Sequence, residues 1–387
     1  MKSYSELKKI FGENLSRRRF LALGISSAAA TCFGCGKVEG KDISGSGKVF
    51  QEARFYDKLP GKQVQCHVCP RECIISNGKR GFCGTRENSD GTLFSLVYAN
   101  VVSFNSVDAI EKKPFFHIVP GSRVTSLATA GCNMRCKFCQ NYQISQASPE
   151  DLRSISIPPE RLAKEARRAG TPIVAYTYNE PTIFTEYVYD CARTCLDAGI
   201  RSVVVSNGYI KAEPLERLCE VIAAYKVDLK AFTDSFYREV TGGELKPVLE
   251  TIKRLKKNGV WTELVHLTIP TLNDSPGDHR AMADWLLGEI GPDIPVHFTR
   301  FSPMYRLTNL PRTPVSTLER ARDILMEKGM NFVYVGNVPG HPGESTYCPE
   351  CGKNIIERGF GYEVGDIHMK DGKCAYCQTS IPGVWSL

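Results

Sequence analysis

The sequence predicts an α/β protein, a partial (β/α)6 barrel of parallel strands with a small cysteine-rich module at each end. Three observations predict it. From about residue 124 onward, short apolar runs rich in β-branched residues alternate with amphipathic helical stretches, the pattern of β/α units. Residues 60–100 and 345–387 break that alternation and are rich in Cys and Gly. Most of the 16 cysteines fall in clusters with two or three residues between them, a ligand spacing rather than a disulfide framework in a chain this long.

The 387 residues, 42% hydrophobic and 24% charged, suffice for a substantial core and exclude a disordered, collagen-like or coiled-coil chain. No stretch approaches the ~20 apolar residues that span a bilayer, which excludes a polytopic membrane protein. The net charge of +7 sits mostly at one end. Residues 1–37 carry Lys2, Lys8, Lys9, Arg17, Arg18, Arg19 and Lys37 against Glu6 and Glu13. The folded body is left nearly neutral, so charge gives no support for a nucleic-acid partner.

Residues 1–47 read as leader and linker. Ser16-Arg17-Arg18-Arg19-Phe20-Leu21 matches the twin-arginine export pattern, and residues 21–30 have the length and composition of a signal h-region. That route carries folded proteins, which suits one loaded with a metal cofactor in the cytoplasm. The expectation is export to the periplasm or tethering at the membrane; a basic leader without function on a cytoplasmic protein is the alternative. Cys32 and Cys35 follow, but Thr31 and Gly34 before them make a poor lipobox. Residues 36–48 are a Gly/Ser/Lys-rich linker.

Residues 48–120 form the expected N-terminal module. The expected barrel, residues 121–340, starts with a strand over 124–130. Helix 159–169 has Pro at its start, and strand 173–178 leads to helix 183–198, ended by Gly199. Strand 202–205, helix 214–225, strand 227–231 and a helix from 245 to 258 follow. Strand 261–269, helix 279–289, strand 296–301 and helix 317–328 complete six units. Residues 341–387 form a zinc-ribbon-like C-terminal module.

Cys132, Cys136 and Cys139 stand directly after the first barrel strand and Gly131, as C-x-x-x-C-x-F-C. Three thiolates on one loop can hold three corners of a cubane iron–sulfur cluster and leave the fourth iron open to a small molecule. A zinc knuckle with a distant fourth ligand, or a chance cluster of core thiols, fits the spacing too. The C-terminal mouth of a β/α barrel is where active sites sit.

This triplet, with Phe138, resembles the signature of the radical SAM superfamily, and Gln140-Asn141 resembles the branch of pyruvate-formate-lyase activating enzymes. Three further stretches resemble the AmmeMemoRadiSam system radical SAM enzymes. They are Cys66-His-Val-Cys-Pro-Arg-Glu-Cys73 with Gly81-Phe-Cys83-Gly, Tyr176-Thr-Tyr-Asn-Glu-Pro181, and Tyr347-Cys-Pro-Glu-Cys-Gly352 running to Ile381-Pro-Gly-Val-Trp385. The likeness spans roughly residues 55–387. It implies a radical SAM barrel, a 4Fe-4S cluster on the triplet, S-adenosylmethionine (SAM) at the open iron, and companions of the Memo and Ammecr types.

The remaining site residues follow from position and from that resemblance. Asn179-Glu180-Pro181 ends the second strand, where the Glu180 carboxylate can take a hydrogen bond from the methionine ammonium; a helix N-terminal acid is its plainer role. Ser206-Asn207-Gly208 ends the third strand and suits ribose or carboxylate hydrogen bonds. Asp228 and Lys230, two apart, share a face. Lys230 suits the methionine carboxylate and Asp228 the ribose; an internal ion pair is the alternative. The resemblance places strands five and six, with Ile269-Pro270, Asn273-Asp274, His266 and His297, on the adenosine and substrate side. A lone strand histidine is more often a core residue. Phe138, Asn179, Glu180, Ser206, Asn207, Asp228, Lys230 and His297 make up the expected cofactor-binding set. Cys191, Cys195 and Cys219 read as core thiols.

Cys348-x-x-Cys351 and Cys374-x-x-Cys377 have the spacing of a four-thiolate zinc site. Cys66, Cys69, Cys73 and Cys83 make a second quartet, with zinc its first reading and an auxiliary iron–sulfur cluster its second. Four thiols leave His67 superfluous there.

The expected activity is reductive cleavage of SAM to a 5′-deoxyadenosyl radical, which abstracts hydrogen from a substrate the sequence does not name, a protein among the candidates. A glycyl-radical activase is the alternative within enzymology, and a zinc-only partner-binding scaffold the alternative outside it.

Overall fold

The computed structural model describes residues 50–386. The twin-arginine run, the h-region, Cys32, Cys35 and linker residues 36–48 lie outside the described residues. Among the described residues, no helix is long and apolar enough to cross a membrane.

One eight-stranded sheet organises the fold, its strands neighbours in chain order. They are β1 (Ser103–Ala109), β2 (Arg123–Ala128), β3 (Ile173–Tyr176), β4 (Arg201–Ser206), β5 (Ala224–Asp228), β6 (Trp261–Thr268), β7 (Val296–Arg300) and β8 (Val333–Gly336). Strands β2 to β8 are parallel, and β1 pairs antiparallel with β2. The register sets Tyr176 beside Leu127 and Val204, and Asp228 beside Val265, so the strand ends converge on one rim. Strand β3, Ile-Val-Ala-Tyr, is buried along its whole length, as a parallel strand covered on both faces must be.

The crossover helices are α1 (Pro159–Ala169), α2 (Thr185–Asp197), α3 (Ala212–Cys219), α4 (Leu245–Lys257), α5 (Pro276–Glu289) and α6 (Val315–Glu327). Helix α1 starts on Pro159 and stops at Gly170, whose left-handed φ of +66° ends it cheaply. Cys191 and Cys195 lie one turn apart on the buried face of α2, where thiols pack as small apolar groups.

Two elements differ from the expectation in extent. The third helix ends at Cys219, and residues 224–228 form β5 where helix and then strand had been expected to meet at 225–227. Ala-Tyr-Lys-Val has no helix-breaking residue, so local preference ran past the boundary. Pairing of Tyr225 with Val204 on one side and Thr262 on the other overrides it. Helix α5 begins three residues before 279, because Ser275 caps it by accepting from Gly277 and Asp278 N–H and Pro276 opens it. Strands β1 and β8 add to the six expected units. Strand β1 comes from within residues 48–120, so that segment contributes to the central sheet as well as to its own small sheets.

The flanking modules are built of short antiparallel strands. At the N-terminal side they are Gln51–Glu52, Arg86–Ser89 and Thr92–Ser95, then Tyr56–Leu59, Gln63–Cys66 and Ile74–Ile75. At the C-terminal side, Thr346–Tyr347, Asn354–Arg358 and Val364–Ile367 share a core with Phe116, Phe332 and Tyr334. Val384 bridges Ile118, and the Val384 N–H donates to the His117 carbonyl at 2.8 Å, which fastens the chain end to the sheet. A Cβ on Gly383 would lie 2.4 Å from the Trp385 ring and 2.9 Å from the His117 carbonyl oxygen, so only glycine fits that approach.

Candidate active site

A cavity of about 430 Å³ opens at the C-terminal ends of the parallel strands. Cys132, Cys136 and Cys139 all face it, together with Phe138, Asn179, Glu180, Ser206, Asn207, Asp228, Lys230 and His297. The residues singled out from the sequence therefore share one space, although they lie up to 165 residues apart in the chain.

The triplet loop leaves β2 through Gly131, at a φ of +87°. A Cβ there would fall 2.4 Å from Thr85 Cγ2 and 2.7 Å from the Cys83 carbonyl oxygen. The Asn179 amide holds the loop's start: it donates to the Gly131 carbonyl at 3.0 Å and accepts from Thr129 N–H at 3.2 Å. Asn141 donates to the Tyr178 carbonyl at 2.8 Å, tying the loop's end to β3. Tyr178, at a φ of +71°, carries backbone strain at this rim.

All three thiols are free. Burial pushes the Cys132 thiol well above its usual range, with Glu180 adding to the effect, and pushes Cys136 up to about 11 against the pull of Lys230. Three free thiols converging on one cavity are a donor set that fits a bound cationic metal centre.

Glu180 is buried and accepts three hydrogen bonds, from Thr182 N–H (2.9 Å), the Ser206 hydroxyl (2.6 Å) and Asn207 N–H (2.8 Å). It caps the turn Pro181–Phe184, the plainer role, while also facing the cavity. Burial holds its carboxyl above the usual carboxylate range. Asn207 donates to the Asn133 side chain at 2.8 Å, which couples the β4 turn to the triplet loop. A Cβ on Gly208 would meet Val227 at 2.9 Å, and its φ is +69°. Asp228 and Lys230 pair at 3.2 Å. Lys230 lies just past β5 rather than on it, and stays on the Asp228 side because the Asn273 amide grips the Lys230 carbonyl at 2.7 Å. Burial alone would lower the Lys230 ammonium, but Asp228 and the Cys136 thiol hold it above the ordinary lysine value. Phe138 is buried with its ring 5.7 Å from that ammonium.

His297 faces the cavity with an unpartnered Nδ1, and its Nε2 lies 2.8 Å from Glu263. Burial lowers its imidazole to about 3, so it is neutral. The ionised Glu263 needs the proton on Nε2, leaving Nδ1 a buried acceptor without a hydrogen-bond partner. His266 does not reach the cavity; both its ring nitrogens face backbone carbonyls, of Leu229 and Asn273. Asn273 and Asp274 likewise brace their own loop, not the cavity.

Sequence reasoning missed the cavity's far end. Glu111, Lys113, Glu344 and Arg358 line it, the last two from the C-terminal module. Burial pushes Glu344 up to about 7. Arg358 donates to the Phe116 carbonyl at 2.7 Å and to Thr346 at 2.8 Å, and its Nε lies 3.9 Å from Glu111 Oε1; that Nε and Glu111 Oε2 have no hydrogen-bond partner. Beneath them Glu263 accepts from Phe116 and His117 N–H and from His297. One signal was readable: Lys226 and Asp228 share a strand face by the same two-residue period used for Asp228 and Lys230.

In the C-terminal module, Sγ atoms of Cys348, Cys351, Cys374 and Cys377 lie within 4.8 Å of one another, with Cys348 and Cys377 3.5 Å apart. A tetrahedral ion at ~2.3 Å from each sulfur needs edges of ~3.8 Å, so this is a metal-binding module. The other quartet, Cys66, Cys69, Cys73 and Cys83, lines a second, smaller cavity.

Residues 126–285 match the family model of the Radical SAM superfamily. The chain is 44% identical over 332 residues to an uncharacterized protein of Methanocaldococcus jannaschii, covering 86% of this chain and 98% of that one. It is 25% identical over 228 residues to pyruvate formate-lyase 1-activating enzyme of Escherichia coli K12, covering 53% of this chain and 89% of that one. A radical SAM methyltransferase from Sphaerobacter thermophilus superposes with a TM-score of 0.45 at 17% identity, over 57% of this chain and 67% of that one. With the matched segment running from β2 into α5 and bearing the triplet loop, the chain belongs to the radical SAM superfamily and is an enzyme of that class.

Proposed function

We propose that Cys132, Cys136 and Cys139 hold the 4Fe-4S cluster of a radical SAM enzyme, and that SAM binds in the 430 Å³ cavity beside it. The observation that supports this most is the convergence of three free thiols, a buried carboxylate and an Asp–Lys pair on one cavity. When bound, the cluster supplies the electron that splits SAM into methionine and a 5′-deoxyadenosyl radical.

The chain's own residues position and shield. Glu180 receives the methionine ammonium on the carboxylate that Ser206 and Asn207 already orient. Lys230 takes the methionine carboxylate, held in place by Asp228 and the Asn273 grip on its carbonyl. Phe138 covers the cluster side. His297 Nδ1 accepts from a donor group on the adenosine or the substrate.

The substrate meets the far end, at the Glu111–Arg358 ion pair, where Glu111 Oε2 and Arg358 Nε lack hydrogen-bond partners and suit a polar ligand. The wall there closes with the C-terminal module, whose four thiols bind zinc. Likeness to a pyruvate formate-lyase activating enzyme supports one alternative, installation of a glycyl radical on a partner enzyme. EPR of a mixed reaction would show that radical.

The test is anaerobic. Reconstituted protein with dithionite and SAM forms 5′-deoxyadenosine, and the Cys132/Cys136/Cys139→Ala variant forms none. No product from protein with a full cluster refutes the reading.

A further inference from the structure

The second cavity has four thiols in its wall. Cys66 ends the strand Gln63–Cys66, Cys69 and Cys73 follow on the next turns, and Cys83 sits on the Gly81–Gly84 loop. Backbone bonds set these turns: Cys66 N–H donates to the Cys73 carbonyl at 3.0 Å, and Gly84 N–H to the Gly81 carbonyl at 2.9 Å. A Cβ on Gly81 would press to 3.2 Å from Ile75 and 3.7 Å from the Cys73 sulfur. His67 is not in the wall; its Nε2 turns to Asp57 at 2.9 Å.

None of the four is bridged to another. All four line the wall of one cavity. Such a set is a ligand set, and its spacing decides for what. Among the described residues, only the C-terminal quartet brings three or more His, Cys, Asp or Glu ligand atoms within 4.8 Å of one another. Both the N-terminal quartet and the Cys132 triplet are therefore more open than a single-ion site. A lone tetrahedral ion holds its sulfurs ~3.8 Å apart. A cubane gives each thiolate its own iron corner and holds them ~6.5 Å apart.

We infer that Cys66, Cys69, Cys73 and Cys83 bind a second, four-cysteine [4Fe-4S] cluster and not the zinc ion that their spacing in sequence first suggests. The site abuts the triplet loop. Asn133, the neighbour of Cys132, shares its wall, and Arg71 donates to the Asn133 carbonyl at 2.6 Å. The Arg71 and Arg135 guanidinium groups both lie over the Phe82 ring, at 3.4 and 4.2 Å, between the two cysteine sets. The Cys83 carbonyl is the wall that forbids a side chain at Gly131.

Full-length protein, prepared anaerobically, is analysed for iron, acid-labile sulfide and zinc, as wild type and as the Cys132/Cys136/Cys139→Ala variant. The variant is expected to keep about four irons, four sulfides and one zinc, with a reduced-cluster EPR signal that SAM does not change. Adding Cys69→Ala and Cys83→Ala removes that iron and leaves the zinc. A triplet variant with two zincs, or with one zinc and no iron, overturns the inference. If the triplet variant does not fold, the wild type decides: about eight irons and one zinc support the inference, and about four irons with two zincs overturn it. Iron retained by the variant stands whether or not the wild type cleaves SAM, so the two readings fail separately.

Discussion

The Arg86–Glu186 pair joins the N-terminal module to α2, and its removal has a calculable cost. Arg86 is 2% exposed and Glu186 1%, and two hydrogen bonds of 2.9 and 2.5 Å link them in a fork. Burial alone would raise the Glu186 carboxyl, but Arg86 holds it below the usual range. Arg86→Met keeps most of the volume and takes from Glu186 its forked guanidinium partner, leaving the Arg54 N–H at 3.2 Å. Breaking one side of such a pair costs about 3–5 kcal/mol, because the remaining charge is buried alone. With an unfolding entropy of ~2.1 cal/mol/K per residue over the folded body, that lowers the midpoint by roughly 4–7 °C. The Arg86→Met/Glu186→Met double variant buries no charge and recovers most of the loss, giving a coupling of at least ~2 kcal/mol. Thermal and urea unfolding, run anaerobically at matched metal content, measure the cycle. A single-variant loss under ~1 kcal/mol, or purely additive effects, would refute the argument that low dielectric makes this pair a joint.

Three further outcomes follow from the site. Gly131→Ala places a methyl against the Cys83 backbone at 2.7 Å, so iron content and the unfolding midpoint both fall; unchanged iron would show that the loop yields freely. Glu180→Gln weakens SAM binding roughly 10- to 100-fold, the loss of one charge-assisted hydrogen bond at ~1.5–3 kcal/mol; equal affinity by equilibrium dialysis would leave Glu180 only its capping role. His117 is lowered to about 4, and His279 and His297 to about 3, all by burial. Below the ordinary 6.5 the unfolded chain binds protons that the folded chain refuses. Their stabilisation is thus complete above pH 6.5 and is lost as pH falls toward 3–4, at ~1.4 kcal/mol per histidine per pH unit. Urea unfolding between pH 4.5 and 6.5 is compared between the wild type and His279→Leu, because Glu344, pushed up to about 7, titrates in the opposite sense in both; the difference in slope reads His279 alone, and equal slopes contradict the assignment.

Much of the site was legible because its chemistry is local. The triplet spacing, Asn-Glu-Pro at one strand end and Asp-x-Lys at another each identify a rim position once β/α alternation has fixed where strands stop. Asn207 shows the limit of that reading. Its position was legible, but not its task of tying the β4 turn to Asn133 on the triplet loop. The missing strand β8 is four residues long, with no polar alternation to separate it from a loop. The β5 boundary slipped because Lys226 looks like a surface residue in a helical run, yet it is fully buried.

Lys226 points to the physical reason for what stayed hidden. A charge reads as exposed from sequence because burial without a partner is costly, and the partner here is distant in the chain. Glu263 lies 3.9 Å from Lys226 and 2.8 Å from His297, and takes N–H bonds from residues 116 and 117. Those groups come from β5, β6, β7 and the loop after β1, so no window of sequence contains two of them side by side with the carboxylate. The same holds for Arg358, which reaches the cavity only because the final 40 or so residues fold back onto the sheet at Val384. The triplet, Asn-Glu-Pro and Asp-x-Lys are each written within a short stretch of chain, whereas the charged floor of the cavity is assembled by the fold. Radical SAM membership is therefore readable from the chain, while the Glu111–Arg358 end of the cavity is readable only from the fold.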